Sequence, residues 1–542
     1  MPLKQSQGFW ISIAIAGFGV SLIGLGLALG GRRSYDPVAS AELIPETAIM
    51  AGFISPNPQA LNQLQQFGNT QTRRLITRNF NQIKQHSLES PQLNFDRDIQ
   101  PWINGVMVAL LPTAEEFDLL MVVGIKDPLR AWLFRRKFHQ QPGIQYIERD
   151  YRNVKITEYI ESEGKRYHVA VLQGHVVLGA SHQPVEKAID TFLGEPTLAE
   201  SNPMVQRFLN GAELAFPLGA IWLSDSPAVI EQLTDTVTTQ TQQWLSLLVQ
   251  LQSLESTVFA VGVEPEGLRV KWVNQFDAEK MTIDATKQLS PIVSRFPTQT
   301  VALVQGKSIN QIWFQLLQLA QDHQIAAQWV QQIRQALQTI NLDADQDVIG
   351  WMDGEFALAA IASDEGILAP FGLGGVLFLE TSNSIQANQM LDQLDNVIAN
   401  SNPPVNIEQR WIENVEVTEW RDPNLGALFG HGWLNERLLF IAFGEPVVEA
   451  IATLPQSPLP DNPQFQSITQ ALPQANVSYV YLDMNQLTSW MTGYLLAAPA
   501  TALQPNLLTL LNSVEGMGLS LVYSEDSRVE VELLFVLEST LN

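Results

Sequence analysis

Cysteine is absent from the 542-residue chain. Without thiols the protein can form no disulfide, thiolate nucleophile, zinc–thiolate centre or iron–sulfur cluster.

Positive charge is also scarce, since 31 Lys and Arg against 56 Asp and Glu give a formal net charge of -25. Nucleic-acid binding depends on Lys and Arg that neutralise phosphates, so the composition argues against a nucleic-acid partner.

Recognisable catalytic motifs are missing as well. The chain contains no G-x-S-x-G, no P-loop G-x-x-x-x-G-K-[ST], no G-x-G-x-x-G and no H-E-x-x-H. The Gly-rich stretch at 371–380, "FGLGGVLFLE", runs into a predicted strand, whereas a phosphate site needs the start of a helix. The sequence therefore predicts no catalytic residues and no cofactor.

The histidines indicate no metal centre. All seven are dispersed along the chain: His86, His139, His168, His175, His182, His323 and His431. Three are evenly spaced, but His175 falls at the turn of a predicted hairpin, while His168 and His182 fall at its open end. We therefore interpret the histidines as structural or solvated and predict no metal site.

A long apolar run lies near the N-terminus. Phe9–Gly31 contains 23 residues without a charge, and about 20 suffice to cross a bilayer as a helix. Phe9 and Trp10 occupy the position of an interfacial aromatic belt. A cleaved signal peptide, with Ala28–Gly30 as its small-residue site, is the alternative. Because the run exceeds the roughly 7–15 residues of a signal core, we predict a transmembrane anchor.

The flanking charges leave the orientation open. Lys4 precedes the run, whereas Arg32 and Arg33 follow it. Local counting of these charges favours a cytoplasmic body. Large domains nevertheless cross membranes largely regardless of charge. We therefore predict a lumenal or periplasmic body, in a thylakoid or cell envelope.

The body of the chain repeats itself. Six segments recur in the same order with offsets between 249 and 262 residues: "LIPETAIMAGF" and "RFPTQTVALVQ", "DRDIQPWING" and "DQDVIGWMDG", "NVKITEY" and "NVEVTEW", "QPVEKAI" and "EPVVEAI", "NPMVQRF" and "NPQFQSI", "EGLRVKW" and "DSRVEVE". Chance similarity would not preserve this order, so the sequence predicts an internal duplication.

Each copy follows one plan. Helical periodicity in segments such as 308–323 alternates with strands joined by short turns. The predicted fold is α+β: two homologous lobes in tandem, each a largely antiparallel sheet with packed helices, preceded by one N-terminal transmembrane helix. The predicted organisation is a tail (1–8), the anchor (9–31), a linker (32–42), the first lobe (43–275), a linker (276–294) and the second lobe (295–542).

Charge is shared unequally between the predicted lobes. The first contains 19 Lys and Arg against 24 Asp and Glu, and the second contains 7 against 27. Anionic headgroups repel a strongly acidic lobe held within roughly 8 Å of them. One interpretation is that the first lobe faces the membrane or a membrane complex. The alternative is drift after duplication.

One stretch of the second lobe, "DADQDVIGWMDGE", resembles a calcium loop. Asp343, Asp345 and Asp347 occupy the first, third and fifth positions of an EF-hand loop. The loop also requires Gly at its sixth position and Glu at its twelfth, where this chain has Val348 and Gly354. Both discriminating positions therefore fail.

The two copies of this stretch share a structural pattern instead. Residues 96–105 and 345–354 both read D-x-D-[IV]-x-x-W-[IM]-[ND]-G. The pattern predicts an Asp cap, one or two helical turns with a buried Trp, and a Gly at the C′ position before the next strand.

Two acids occupy matching positions in "ITEY" and "VTEW". Glu158 and Glu419 could act as an acid–base pair if the fold brought them within about 5–10 Å. Strand alternation gives the simpler interpretation, in which each acid lies near a strand end and points to water.

The repeated D-[IV]-x-x-W-x-x-G element, the Pro-led first strand, the apolar N-terminus and the two-lobe length resemble a family catalogued as a domain of unknown function, number 3352. The likeness covers roughly residues 35–540. It implies a cyanobacterial envelope or thylakoid setting, because the family is frequent in cyanobacteria, and it supplies no known reaction or catalytic residue.

Together these features predict a non-enzymatic, single-pass membrane-anchored protein. We expect it to serve as an assembly, scaffold or binding factor and to contact a protein partner in a membrane complex. The alternative is a hydrolase, or a carrier of a hydrophobic ligand, with its site in the cleft between the two lobes.

Overall fold

The computed structural model shows an α+β protein with extensive antiparallel strand pairing. The structure describes residues 35–55, 58–64, 66–67, 94–113, 117–161, 164–224, 254–276, 291–322, 324–363, 372–400, 405–423, 426–474, 476–489, 513–524 and 527–538. The predicted anchor, Phe9–Gly31, lies outside these residues. Within them, no helix combines the length and apolar character that crossing a membrane requires.

The chain divides into two compact units. Unit 1 comprises Met1–Thr282 with Ser524–Glu532 and Leu537–Asn542, and unit 2 comprises Ile283–Tyr523 with Leu533–Val536. The lobe bounds derived from the sequence repeat stay a prediction.

Ten strands of unit 1 form antiparallel pairs with one another. They are β1 (Met50–Ile54), β2 (Ile103–Pro112), β3 (Phe117–Ile125), β4 (Gln145–Tyr151), β5 (Val154–Ile160), β6 (Arg166–Leu172), β7 (His175–Gly179), β8 (Phe216–Ser224), β9 (Leu254–Glu264) and β10 (Gly267–Phe276). Their spatial order is β10–β9–β8–β1–β2–β3–β7–β6–β5–β4.

Nine strands of unit 2 form a second antiparallel arrangement. They are β11 (Thr300–Lys307), β12 (Glu355–Ala362), β13 (Leu373–Glu380), β14 (Asn406–Ile412), β15 (Val415–Asp422), β16 (Gly426–Trp433), β17 (Leu438–Phe443), β18 (Ser478–Asp483) and β19 (Val514–Ser524); the last strand of the chain, β20 (Arg528–Leu537), is divided between the units. The order β19–β18–β11–β12–β13–β17–β16–β15–β14 repeats that of β9 to β4 in unit 1.

Most of the described helices occupy the same places in the two strand orders. They are α1 (Pro37–Ala41), α2 (Pro58–Leu64), α3 (Pro128–His139), α4 (His182–Phe192), α5 (Pro203–Leu209), α6 (Ile309–Asp322), α7 (Gln324–Gln338), α8 (Ser384–Ala399), α9 (Glu445–Ala452) and α10 (Pro463–Ala471). Several start at an Asp or Asn cap followed by proline, as at Asp127 and Asn202, because the cap accepts a backbone N–H and Pro suits the first turn.

Helices cover both faces of the strands in each unit. In unit 1, α4 and α5 contribute to the main core around Phe53, while α3 packs with Trp102 on the other face. In unit 2, α9 and α10 cover the face that holds Phe378, and α8 packs with Trp351 on the opposite face. This accounts for the paired Trp residues of the repeated motif, which are core residues in both copies.

The repeated motif folds as a capped helical turn, but not as an α-helix. Phe95–Ile99 and Ala344–Ile349 are single π-helical turns. The Asp343 side chain accepts from the N–H of Asp345 and of Gln346, and the Asp347 carboxylate accepts from the Asp343 N–H. The cap is therefore Asp343, which precedes the D-x-D pattern, and in the first copy it is Asn94, which accepts from the Arg97 N–H. The wider turn reflects the bond from the Val348 N–H to the Asp343 carbonyl.

The glycine of the motif has a different role from the predicted one. Neither Gly105 nor Gly354 is among the glycines with positive φ, so neither forms a left-handed C′ cap. A Cβ on Gly354 would collide with the main-chain carbonyl of Glu380, and one on Gly105 would collide with the ring of Tyr35. Close approach of a neighbour, not helix termination, requires glycine here.

Candidate functional site

Unit 2 contains a partly enclosed cavity of about 710 Å³. Its lining comes from the ends of strands β11, β12 and β13, the start of α6, and strands β18 and β19: Gly306, Lys307, Ser308, Gln311, Ile312, Gln315, Asp353, Gly354, Glu355, Phe356, Glu380, Arg437, Val477, Ser478, Leu521 and Tyr523. The volume falls within the roughly 300–1,000 Å³ of small-molecule sites.

A buried carboxylate lies at the wall of this cavity. Glu355 is the first residue of β12 and only 6% exposed. Its Oε1 accepts a hydrogen bond from the side-chain amide of Gln305, which is itself 1% exposed. Strand register explains the contact, because Gln305 lies opposite Ala357 and so shares a face with Glu355.

Two tyrosines lie near the carboxylate. Tyr479 on β18 lies opposite Gln305, and burial together with the Glu355 charge raises the pKa of Tyr479 well above its usual value. Burial likewise raises the pKa of the cavity-lining Tyr523. Both phenols therefore stay protonated at neutral pH, and the Tyr523 ring offers apolar and π surface to the cavity.

The remaining charged groups of the cavity are held by fixed contacts. Asp353 accepts from the Ser382 N–H at 2.9 Å and from the Ser382 hydroxyl. Burial opposes its ionisation, but these hydrogen bonds prevail and lower the pKa of Asp353. The Arg437 guanidinium, also in the lining, lies 3.5 Å from a Glu380 oxygen. The site is therefore polar and pre-formed.

The charge balance favours a positively charged ligand. Three carboxylates line the cavity, from Asp353, Glu355 and Glu380, against two cations, from Lys307 and Arg437. A buried carboxylate attracts an ammonium group more strongly than an exposed one, since less water screens the pair. The arrangement can bind an amine and place its polar remainder near Arg437.

The corresponding end of unit 1 is filled by apolar side chains. Pro45 in unit 1 and Pro297 in unit 2 each form an isolated β-bridge shortly before β1 and β11, respectively. When these two positions are aligned, β1 corresponds to β11 and Phe53 corresponds to Gln305. The ring of Tyr35 lies over Gly105 and packs 6.1 Å from that of Phe53. The buried polar pair is thus a feature of unit 2.

A family model described as "Protein of unknown function (DUF3352)" matches residues 8–537. The chain belongs to this family. No curated protein matches the chain.

Solved structures similar to this DUF3352 protein include crystal forms I and III of TP0453. Each is 12% identical to the chain, with TM-scores of 0.27 and 0.28; the matches cover 46% and 45% of this chain and 83% and 82% of the other. Similarity at this level carries no argument about function.

The sequence-based reasoning passed over Glu355 and Gln305. Gln305 ends one repeated segment and Glu355 directly follows another, and both interrupt strands that are otherwise apolar on their inward face. The two copies of the repeat differ at this position, because unit 1 has the apolar Phe53 where unit 2 has the polar Gln305. An inward polar residue in one copy alone indicates a local function rather than a shared fold requirement.

The acids of the calcium-like stretch have structural contacts instead. Asp345 accepts from Trp313 Nε1 at 2.6 Å and pairs with Arg334 at 2.7 Å. Among the residues the structure describes, no group of three His, Asp or Glu is arranged to hold a metal.

The two matching glutamates differ in environment. Glu158 on β5 forms an ion pair with Arg166 at 3.0 Å and is half-buried. Glu419 on β15 is fully buried, which contradicts the expectation that it points to water. Arg410 holds both of its oxygens, at 2.8 and 2.9 Å, and Arg421 donates a third bond at 2.7 Å. Such pairing is the condition for burying a carboxylate.

Two of the histidines have buried environments that the sequence did not indicate. His431, expected to be isolated, lies 3.3 Å from the carboxylate of Asp395, which also accepts from Trp420 Nε1. His168 is buried on β6 opposite Glu158, and its Nδ1 has no hydrogen-bond partner within the described part of the chain.

We expect His168 to lower stability as the medium is acidified. Burial lowers the pKa of His168, despite Glu158 nearby, and Arg149, Arg166 and His182 act in the same direction as burial. The unfolded chain therefore binds a proton at His168 near pH 6.5, whereas the folded chain binds it only at lower pH. The stability that neutral His168 contributes is therefore full above pH 6.5 and lost below it. Urea unfolding at pH 7 and pH 5.5 should show that acidification lowers the free energy of unfolding less in His168→Gln than in the unsubstituted protein. Equal losses in both proteins would contradict the assignment.

Proposed function

We propose that this protein is a non-enzymatic, membrane-anchored binding factor whose second unit binds an ammonium-bearing ligand. The segment 9–31 tethers the body to a thylakoid or cell-envelope membrane, and the body lies on the lumenal or periplasmic side. Ligands of this chemistry include a small polar amine and a lysine side chain presented by a protein partner.

One observation carries the proposal: the carboxylate of Glu355, 6% exposed, at the wall of a cavity of about 710 Å³. A carboxylate beside a cavity of this size is a candidate binding group, because little water screens its attraction for an ammonium. Coupling energies of about 1.5–7 kcal/mol are measured for close charge pairs at interfaces.

The lining supports binding better than hydrolysis. Both serines of the cavity donate to main-chain carbonyls, Ser308 to Asp353 at 3.1 Å and Ser478 to Gln305 at 2.8 Å. No histidine is among the described lining residues to activate them. The five charged side chains around the cavity also disfavour the hydrophobic-ligand alternative, because an apolar ligand would desolvate them without replacement.

A protein partner is favoured by a separate observation. Helices α6 and α7 pack through Trp313 and Val330, yet Phe314 and Trp329 are each 61% exposed on their outer faces. Aromatic residues are enriched where proteins bind each other. We infer that these helices contact a member of a membrane complex, in keeping with an assembly or scaffold role.

We also infer that the two units descend from one duplicated domain. The supporting features are the nine strands in one order, the paired π-helical turns and the paired bridges at Pro45 and Pro297. The polar cavity then arose by divergence of the second copy, while the first copy kept an apolar filling.

The binding proposal is tested with Glu355→Gln, which keeps the shape of the side chain and removes its charge. Calorimetric titration of the full chain with n-butylammonium, lysine and spermidine should detect binding of at least one probe. We expect the substitution to weaken that binding at least about 30-fold, the equivalent of about 2 kcal/mol.

Two controls accompany this titration. Butanol, which lacks the charge of n-butylammonium, should bind at least tenfold more weakly, by roughly 1.4 kcal/mol. Glu408→Gln, on the exposed side of β14 away from the lining residues, should leave the affinity unchanged. Unaltered affinity in Glu355→Gln, or no binding of any ammonium probe, would refute the proposal.

A further inference from the structure

Helix α3 of unit 1 exposes apolar side chains on the face that points away from the sheet. Its inner face packs through Ala131 and Phe134 beside Trp102. On the outer face Leu129 is 66%, Trp132 54% and Leu133 49% exposed. The spacing at i, i+3 and i+4 places these three side chains in one ridge along the helix.

Positive charge surrounds this apolar ridge. The helix has five basic residues and no acid: Arg130, Arg135, Arg136, Lys137 and His139. It thus holds four of the 31 Lys and Arg of a chain whose net charge is -25. The corresponding helix of unit 2, α8, contains Asp392 and Asp395 but no Lys or Arg. The basic surface is therefore a feature of α3 that its counterpart α8 lacks.

A groove of about 400 Å³ runs along one side of the ridge. Its lining is basic and aromatic: Trp132, Arg135, Arg136, His139, Gln140 and Tyr146. Arg135 pairs with Glu148 at 3.2 Å, and His139 stacks on Tyr146 with ring centroids 4.2 Å apart. The Arg136 guanidinium lies 5.8 Å from the Trp132 ring centroid and forms no ion pair within the described part of the chain.

A smaller groove of about 250 Å³ lies on the other side and includes Leu133. It contains three cations, from Arg97, Arg130 and Lys137, and one carboxylate, from Asp98. Asp98 pairs with Arg97 at 3.0 Å and with Lys137 at 2.6 Å. Each flank of the ridge thus presents more positive than negative charge.

We propose that α3 lies on an anionic phospholipid surface, with Leu129, Trp132 and Leu133 inserted at the headgroup boundary and the flanking grooves facing lipid phosphates. An apolar ridge with Trp and Leu, bordered by Arg and Lys, is the pattern of helices that bind in the plane of a membrane interface. The charge complementarity is local, because the chain as a whole has a net charge of -25, which anionic lipids repel. This surface is separate from the cavity of unit 2 and does not depend on the function proposed for it.

The absence of cysteine makes a direct test possible. Leu133→Cys, labelled with an environment-sensitive fluorophore, would be incorporated as the full chain into vesicles of phosphatidylglycerol and phosphatidylcholine. We expect at least about a twofold rise in fluorescence relative to pure phosphatidylcholine vesicles, with protection from an aqueous quencher. Arg135→Gln with Arg136→Gln should reduce the rise, and high salt should do the same because it screens the charges.

Ile385→Cys supplies the matched control. Ile385 is an exposed apolar residue, 72% accessible, on the helix α8 that lacks basic residues, and its label should not respond. Inositol hexakisphosphate without vesicles tests for a soluble anion and should leave the Leu133→Cys signal unchanged. The proposal is overturned if the label stays accessible to quencher on anionic vesicles, if both labels respond equally, or if the soluble phosphate alone reproduces the response.

Discussion

Trp351→Ala should destabilise unit 2 by about 3–5 kcal/mol, the usual range for removing a large aromatic side chain from a core. The indole is 1% exposed and packs with Leu379, Met390 and Leu391 beneath helix α8. The substitution also removes the hydrogen bond from Trp351 Nε1 to the Asp347 carbonyl at 3.0 Å. Urea unfolding followed by circular dichroism would measure the shift in the transition that involves unit 2.

Trp411→Ala is the control for this substitution. Trp411 lies on β14 of the same unit and is 67% exposed, so its loss should change stability by no more than about 0.5 kcal/mol. Trp102→Ala, at the equivalent motif position, should resemble Trp351→Ala but affect unit 1. A small effect of Trp351→Ala would show that the repeated Trp is not a core residue.

Arg410→Met should destabilise the protein by about 3 kcal/mol. The substitution removes a bidentate contact, at 2.8 and 2.9 Å, from the fully buried carboxylate of Glu419. Removing one partner of a buried pair typically costs about 3–5 kcal/mol, because the remaining charge stays in a poorly solvated place. Arg421 still donates one bond, which places the expected effect at the lower end.

Unit 1 offers a matched control. Arg166→Met breaks the pair with Glu158, the acid at the corresponding sequence position, but Arg166 is 62% exposed and Glu158 is 22% exposed. Exposed pairs contribute at most about 1 kcal/mol, since water already solvates both ions. Equal losses for Arg410→Met and Arg166→Met would contradict the assigned difference in burial.

Much of the fold was predictable because the repeat preserved local signals in both copies. Strands joined by short turns, such as β6 and β7 about Gln173–Gly174, follow from alternation and from a turn that needs positive φ. The α+β class and the antiparallel pairing follow from the same patterns. Spacing alone could not reveal that the motif turn is a π-helix, because its cap residues suit an α-helix equally well.

The candidate site was less predictable, and the reason lies in strand register. Gln305 and Glu355 are 50 residues apart, and only the pairing of β11 with β12 brings their side chains together. Similarly, Glu419 appeared to be a water-facing acid because its arginine partner, Arg410, comes from the neighbouring strand. Contacts between distant segments set the burial of both acids, and periodicity within one segment does not report such contacts.

A crystal structure of the full chain, soaked or grown with saturating n-butylammonium, tests the central claim most directly. We predict the ammonium nitrogen in the unit 2 cavity, about 2.7–2.9 Å from a Glu355 carboxylate oxygen, the distance of a charge-assisted hydrogen bond. The alkyl chain should lie toward Tyr523, which lines the same cavity. An unoccupied cavity at saturation, or a probe bound away from Glu355, would contradict the account.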